Sequence, residues 1–446
     1  MKGLLCSRVW SVGMAGLLVT GSLWAAPPIE QWTQPNGTRV QLVTLTALPM
    51  LDVHIDFDGG SRRDPAEQAG LSQATALMMD KGLAAQSGQP ALDENELVEA
   101  WADLGAQFTM QSTADRFSAR LRTLSQPDIL QDAVALAARQ LAAPAFPEAV
   151  WARERDRLVA GWRQSQTRPN VVANRHFQSA VFGDHPYGFE PRPETWARVG
   201  VDDMRGFYLR HVRACDARVT LVGDVSRAQA DAIVGQLMAG LSSRSCEPLP
   251  TIADVAPLEA GQTLRVPFNA VQTQILIGQP GFPRSDPDFM ALTLANHILG
   301  GGGFSSRLMQ EIRERRGLTY GIFSFFSPGR HAGPFAVSMS TRPEQAEEAV
   351  ALIHAELRRF ITEGPTDDEL AEAKASLISG FALRLDSNRK LLDNVAAMAW
   401  HDLPMDHLDT WTTRMGAVTR EQVMSALQRV LDPDRMVTVM LGGPAS

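Results

Sequence analysis

Several common chemistries are missing from this 446-residue chain. Its three cysteines, Cys6, Cys215 and Cys246, lie too far apart for a Cys-x-x-Cys metal or redox motif. No Gly-x-Ser-x-Gly elbow or similarly placed nucleophile occurs, which sets serine-hydrolase chemistry aside. The nine histidines stand at 54, 176, 185, 211, 297, 331, 354, 401 and 407, and no two are three or four apart, the spacing at which one helix offers two imidazoles to a zinc ion. Gly300, Gly301, Gly302 and Gly303 run together without the Gly-Lys-Ser/Thr of a phosphate-binding loop. A formal charge of −8 argues against a nucleic-acid partner. What remains, 44% apolar and 21% charged residues, is an ordinary globular composition with room for two domains.

Only the N-terminus approaches the length of a membrane span. Lys2 and Arg8 make a basic start, Val9 to Trp24 carries no charge, and Ala25-Ala26 precede Pro27-Pro28. Residues 1–26 therefore read as a secretory signal, with an unusually large Leu23 or Trp24 at the −3 position. An uncleaved anchor is the other reading open to this run. Cys6 precedes the apolar stretch, so a lipoprotein signal does not fit. Cleavage would remove Lys2 and Arg8, take the charge from −8 to −10, and leave no stretch able to span a membrane.

Beyond residue 35 strands and helices mix, and the order repeats. Thr38 to Gly60 holds two strands; in the second, Leu51, Val53, Ile55 and Phe57 alternate with Asp52, His54, Asp56 and Asp58. Such alternation predicts one buried and one solvated face, with His54 on the wet side. Helices are expected at 70–81, 93–104, 127–142, 147–166, 201–212 and about 226–240, a hairpin over 108–124, and a strand at 218–223. Pro147 and Pro365 each open a helix, with Glu154 and Glu372 inside it; Val219-Thr220 and Val437-Thr438 each start an apolar strand; all three pairs are 218 residues apart. Ala133–Leu136 recurs as Ala349–Leu352 at an offset of 216. These offsets indicate two copies of one α+β unit, 30–241 and 262–446, joined by a Ser-, Pro- and Ala-rich linker at 242–261.

Leu299 to Phe326, LGGGGFSSRLMQEIRERRGLTYGIFSFF, carries the densest pattern. Ser305 or Ser306 is placed to cap a helix whose apolar stripe is Leu308, Met309 and Ile312, and Gly317 suits its left-handed end. A strand follows from Tyr320. Arg313 then lies in the last helical turn and Tyr320 at the helix–strand junction, beside a flexible glycine bed that can accept a peptide backbone. Taken alone, Arg313 also suits the negative end of the helix dipole, and Tyr320 suits ordinary strand packing.

The stretch resembles the C-terminal half of the pitrilysin/insulinase-type zinc peptidases, in the two-domain bacterial form related to mitochondrial processing peptidase. The pattern Leu-Gly-Gly-Gly, Ser-Ser-Arg-Leu, Arg…Gly-Leu-x-Tyr falls on it, with the family's Arg and Tyr on Arg313 and Tyr320. His185-Pro186-Tyr187-Gly188 and Val222-Gly223-Asp224-Val225 match as well. The resemblance implies an α+β fold of two homologous metallopeptidase-like domains, each a mostly antiparallel sheet packed with helices. It implies substrate contacts at Gly300–Gly303 and catalytic contacts at Arg313 and Tyr320. Active members carry His-x-x-Glu-His on an early helix and a later zinc-ligating Glu. Aligning Gly70-Leu71 and Lys81-Gly82 with the family puts Gln73 and Leu77 at the histidine positions and Ala76 at the general base, with Ala160 and Gly161 where later glutamates stand. These side chains make poor or impossible zinc ligands.

The resemblance therefore implies no cofactor in this chain, and a homologous zinc-bearing partner with which it forms a heterodimer around a peptide substrate. The phenol and guanidinium would then act in trans at the partner's zinc. A catalytically inactive peptide-binding pseudoenzyme or scaffold is the alternative. With the signal, the expected location is the bacterial periplasm. In that oxidising setting Cys215 and Cys246 are expected to pair. Cys215 precedes the 218–223 strand, which climbs about 20 Å, and the 226–240 helix returns about 22 Å. Two free thiols are the alternative.

Overall fold

A computed structural model describes residues 27–86, 88–241 and 246–443; the expected signal, 1–26, and the start of the expected linker, 242–245, lie outside them. The first half runs β1 (Glu30–Thr33), β2 (Arg39–Thr44), β3 (Met50–Phe57), α1 (Leu71–Met79), α2 (Glu94–Asp103), β4 (Gln107–Ser112), β5 (Phe117–Leu124), α3 (Pro127–Ala142), α4 (Glu148–Ser165), α5 (Pro169–Phe182), α6 (Pro193–Trp196), α7 (Val201–His211), β6 (Arg218–Gly223) and α8 (Arg227–Met238). The second runs β7 (Gln262–Val266), β8 (Thr273–Pro280), α9 (Phe289–Asn296), β9 (Ile322–Phe326), β10 (Pro334–Thr341), α10 (Ala346–Glu363), α11 (Asp367–Ser379), α12 (Asn388–Trp400), α13 (His407–Ala417), α14 (Arg420–Val430) and β11 (Val437–Leu441).

The repeat is visible in the sheets. The first has strand order β1-β2-β6-β3-β5-β4 and the second β7-β11-β8-β10-β9. Apart from the extra β1, the orders are the same. In both, the last strand runs parallel to the first repeated one and antiparallel to the next, as β6 does to β2 and β3, and β11 to β7 and β8. The fold is the expected α+β, with mostly antiparallel sheets.

Each sheet buries one face on helices of its own half. Leu51, Val53, Ile55 and Phe57 of β3 meet Met78, Val134 and Phe207, among others, in the first core. Ile275, Ile277 and Val337 meet Leu292, Ile353 and Leu427 in the second. The opposite faces are covered reciprocally. From the first half, α5 lays Ala173, Phe177 and Val181 on Leu276, Ala336 and Val439 of the second sheet. From the second half, α12 lays Leu391, Leu392 and Val395 on Val43 and Val222 of the first sheet. Pro169 and Asn388, which start these helices, are 219 residues apart, one from the repeat offset.

This exchange corrects the placement of His54. It is only 2% exposed, because α12 roofs the face that alternation marks as wet. The polar row survives there because its members pair. The β3–β5 register sets Asp52 against Arg122 and Asp56 against Ser118. Arg122 Nε donates to Asp52 at 2.7 Å, Ser118 Oγ to Asp56 at 2.6 Å, and His54 Nε2 lies 2.8 Å from Asp56. Burial pushes the Asp56 carboxyl up, but His54, Arg116 and Ser118 outweigh it and hold its pKa below the ordinary value.

A polar seam also ties the halves to the linker. Tyr187 of the His-Pro-Tyr-Gly loop donates to Asp115 at 2.6 Å and accepts from the His331 amide at 3.1 Å. His185 reaches the Ala253 carbonyl at 3.1 Å and His331 reaches Asp254 at 2.9 Å. Cys215 and Cys246 form a disulfide with their Cα atoms 6.1 Å apart, fixing the start of the linker against the first half.

Candidate functional site

The helix aligned with the zinc motif is α1. Asp64 anchors its start, accepting from the Gly70 and Ser72 amides at 2.9 and 3.0 Å. Exposed Gln73 and half-buried Leu77 face a cleft of about 480 Å³ shared with Glu154, Arg157, Gly161 and Trp162. Ala76 is 3% exposed and packed in the core. Of the aligned positions, Gln73, Leu77 and Gly161 line this cleft and Ala76 and Ala160 do not; Gly161 has nothing within 4 Å of where a Cβ would stand.

The donor set in this cleft does not suit zinc. Gln73 offers a neutral amide, and Leu77 and Gly161 offer nothing. Both carboxylates are engaged by cations: Glu154 with Arg157 at 2.7 Å and with Arg153 at 2.9 Å, and Glu190 with Arg175. Burial raises the pKa of Glu190 against the pull of Arg175. Among the described residues no group of three or more His, Cys, Asp or Glu side chains is arranged to hold a metal ion.

The second place is the edge of the second sheet. Two wide helical turns with i→i+5 bonds occur here, one running into the glycines and one after them, with Gly302 N to His297 O at 2.7 Å and Arg315 N to Gln310 O at 3.0 Å. Such turns recur at functional sites. The serines do not cap as expected. Ser306 Oγ donates to the Gly303 carbonyl at 2.7 Å and Ser305 Oγ to the Gly302 carbonyl at 3.2 Å, so each hydroxyl closes its own preceding turn. Arg307 fixes the helix from outside, donating to both Glu369 oxygens at 2.7 Å.

Within the glycine run the roles divide. Gly300 is buried, and a Cβ there would stand 2.5 Å from the Ser324 amide of β9. Gly301 reaches the surface, and Gly303 is left-handed at φ +69° with open space about it. The run therefore seats β9 at one end and faces outward at the other.

Gly317 ends the helix as expected, with φ +64° and its amide on the Arg313 carbonyl at 2.8 Å. Arg313 lies over the Phe304 ring at 4.6 Å and pairs with Glu314 at 3.0 Å. Tyr320 is 90% exposed. Its backbone is nonetheless fixed, because Thr319 Oγ1 donates to the Ser340 carbonyl at 2.8 Å and accepts the Gly321 amide at 3.1 Å. A free phenol thus stands on a braced turn. Phe304, Phe323 and Phe325 are also exposed, the last two alternating along β9, whose outer edge pairs with no strand among the described residues. Strand periodicity at 322–326 signals these phenylalanines, although sequence reasoning did not single them out as functional.

Comparison with known proteins decides the relationship. A crystal structure described as the peptidase M16 inactive domain, from Pseudomonas fluorescens, is 32% identical, covers 94% of this chain and 98% of its own, and superposes with a TM-score of 0.87. The chain belongs to the peptidase M16 family. The model of the M16 inactive domain matches residues 198–377, from before α7 through most of α11. An uncharacterized zinc protease of Streptomyces coelicolor is 25% identical over 417 residues, which are 90% of this chain and 87% of that protein. The crystal structure of a protease from Helicobacter pylori has the same fold at a TM-score of 0.83 and 18% identity, covering 93% of this chain and all of that one. The pitrilysin/insulinase resemblance of Leu299–Phe326 is confirmed, and the match falls on the family's inactive domain, that of a non-catalytic protease-like chain.

Proposed function

We propose that this M16 chain is the non-zinc subunit of a heterodimeric zinc peptidase of the bacterial periplasm, supplying Arg313 and Tyr320 in trans to a peptide held at its partner's metal. The observation that carries this reading is the exposed Tyr320 hydroxyl on a hydrogen-bonded turn, with Arg313 at the adjoining helix end, in a chain whose own motif residues cannot ligate zinc. Both groups donate hydrogen bonds, which suits a carbonyl oxygen that gains negative charge during attack. The signal-like N-terminus and the disulfide support an exported protein.

The test mixes each variant with the wild-type zinc chain, confirms the complex, and follows a quenched peptide. Tyr320→Phe removes only the hydroxyl and is expected to lower turnover by about 10²–10³ while pairing persists. Arg313→Ala is expected to raise KM as well. Near wild-type turnover from Tyr320→Phe in an intact complex would refute the catalytic role. A second reading, a peptide-holding pseudoenzyme, is favoured by the exposed Phe304, Phe323 and Phe325 beside an uncovered strand edge. It predicts peptide binding by the isolated chain that survives Tyr320→Phe.

A further inference from the structure

Arg284 is half-buried, and no described carboxylate pairs with its charge. Its guanidinium lies 3.6 Å over the Phe289 ring, and one nitrogen comes within 3.4 Å of His407 Nε2. The other ring nitrogen, Nδ1, is 3.4 Å from Arg414 on the next turns of α13. The acids nearest Arg284 in sequence are already taken, since Arg429 binds Asp286 at 2.6 Å and Asp288 at 2.7 Å. Neither Arg284 nor Arg414 forms an ion pair with a described carboxylate, and the charge that Arg284 feels is that of Arg414. A neutral imidazole offers one acceptor, so it can satisfy one of the two guanidinium groups and must turn an N–H toward the other. Buried cations are ordinarily paired.

We propose that Arg284, Arg414 and His407 form a binding site for an oxyanion, carried either by a small free dianion or by an acidic peptide side chain. Two guanidinium groups sit against the two nitrogens of one imidazole, and such a set of N–H donors favours carboxylate, sulfate or phosphate. The backbone prepares the site. The Arg284 amide is pinned to the Gly329 carbonyl at 2.8 Å, and both His401 and His407, at the two ends of the α12–α13 connection, feel the Arg284 charge. Both imidazoles are depressed to about 4. For His407 the causes are burial, then Arg284 and Arg414, against Asp406; for His401 they are burial, then Arg284, Arg116 and Arg330, against Asp115. Burial and Arg414 likewise lower Arg284 to about 10. A bound dianion would relieve all three groups. The site is independent of the peptidase reading, since it uses neither Arg313 nor Tyr320.

The full mature chain is titrated with sodium sulfate, and separately with an acetylated tetra-glutamate peptide, against sodium chloride at equal ionic strength and a tetra-glutamine control. Melting temperature and calorimetric binding are followed. The expected result is saturable binding that weakens about tenfold in Arg284→Gln and in Arg414→Gln, the loss of one charge-assisted hydrogen bond. Arg414 is exposed, so its variant keeps the test valid if Arg284→Gln fails to fold. Sulfate affinity should also rise as pH falls from 7 to 5, because the anion favours imidazolium. Tighter binding of the glutamate peptide than of sulfate, with mutual competition, assigns the site to acidic peptides, and the reverse assigns it to a free anion. Responses to sulfate and to the glutamate peptide that match their controls, or that Arg414→Gln leaves unchanged, overturn the proposal.

Discussion

The two halves share a strand order but cover their outer faces with opposite chemistry. Over the second sheet, α5 makes an apolar joint of Phe177, Val181, Leu276, Val439 and Leu441. Over the first, α12 makes a mixed joint, with leucines along one stripe and the Asp52, His54 and Asp56 row beneath it. An apolar joint gains from burial roughly in proportion to area. A paired polar joint gains little net free energy but is costly to break on one side. The same architecture thus tolerates different losses in its two copies.

Four experiments sharpen or break that contrast. The largest effect belongs to Phe177→Ala, which opens a cavity in the apolar joint and should cost about 3–5 kcal/mol by denaturant unfolding. A loss below about 1 kcal/mol would mean that α5 is not anchored there. Reducing the Cys215–Cys246 bond frees a loop of sequence separation 31 and should cost about 2–4 kcal/mol, felt first in the first half. Thiol counting on denatured, unreduced protein checks the bond itself, and two reactive thiols would exclude it.

The third effect depends on pH. Asp56 is held below its unfolded pKa, so its stabilising contribution is complete above that unfolded value and is lost as pH falls through the folded one. Acid should therefore loosen the α12 joint before the α5 joint, and hydrogen exchange on α12 and on α5 between pH 5 and 3 measures the order. Equal loosening would remove the electrostatic contrast. The smallest effect is that of Arg120 and Asp393, a partly exposed pair at 2.6 Å between β5 and α12. A double-mutant cycle should give at most about 1 kcal/mol.

Much of this was legible in the sequence, for identifiable reasons. The 127–142 helix and the 218–223 strand stand where their periodicity sets them, because each has a steady apolar face and clear end signals. Gly317 was readable because helix ends of this kind favour a left-handed glycine. His54 was misplaced because alternation reports only that two faces differ, whereas the residues that roof the polar face lie more than 300 positions further on, in α12. The complementary Arg120 and Arg122 on β5 carried the hint that the row is paired. The serine hydroxyls were misjudged because carbonyls of the wide glycine turn compete for them. The Arg284 site could not be seen, since Arg284 comes from the β8–α9 loop and meets His407 and Arg414 of α13 only by folding.

The reciprocal helices also impose an order in time. The helix that seals the second sheet leaves the ribosome some 90 residues before that sheet begins, and the one that seals the first arrives only after residue 388. Neither sheet can finish on its own segment of chain, so completion waits for nearly the whole length, and the contacts that close the molecule are among its most distant in sequence. Under the export proposed above, this order is an advantage, because a nascent chain that cannot lock its sheets early stays threadable until the translocation channel has taken it.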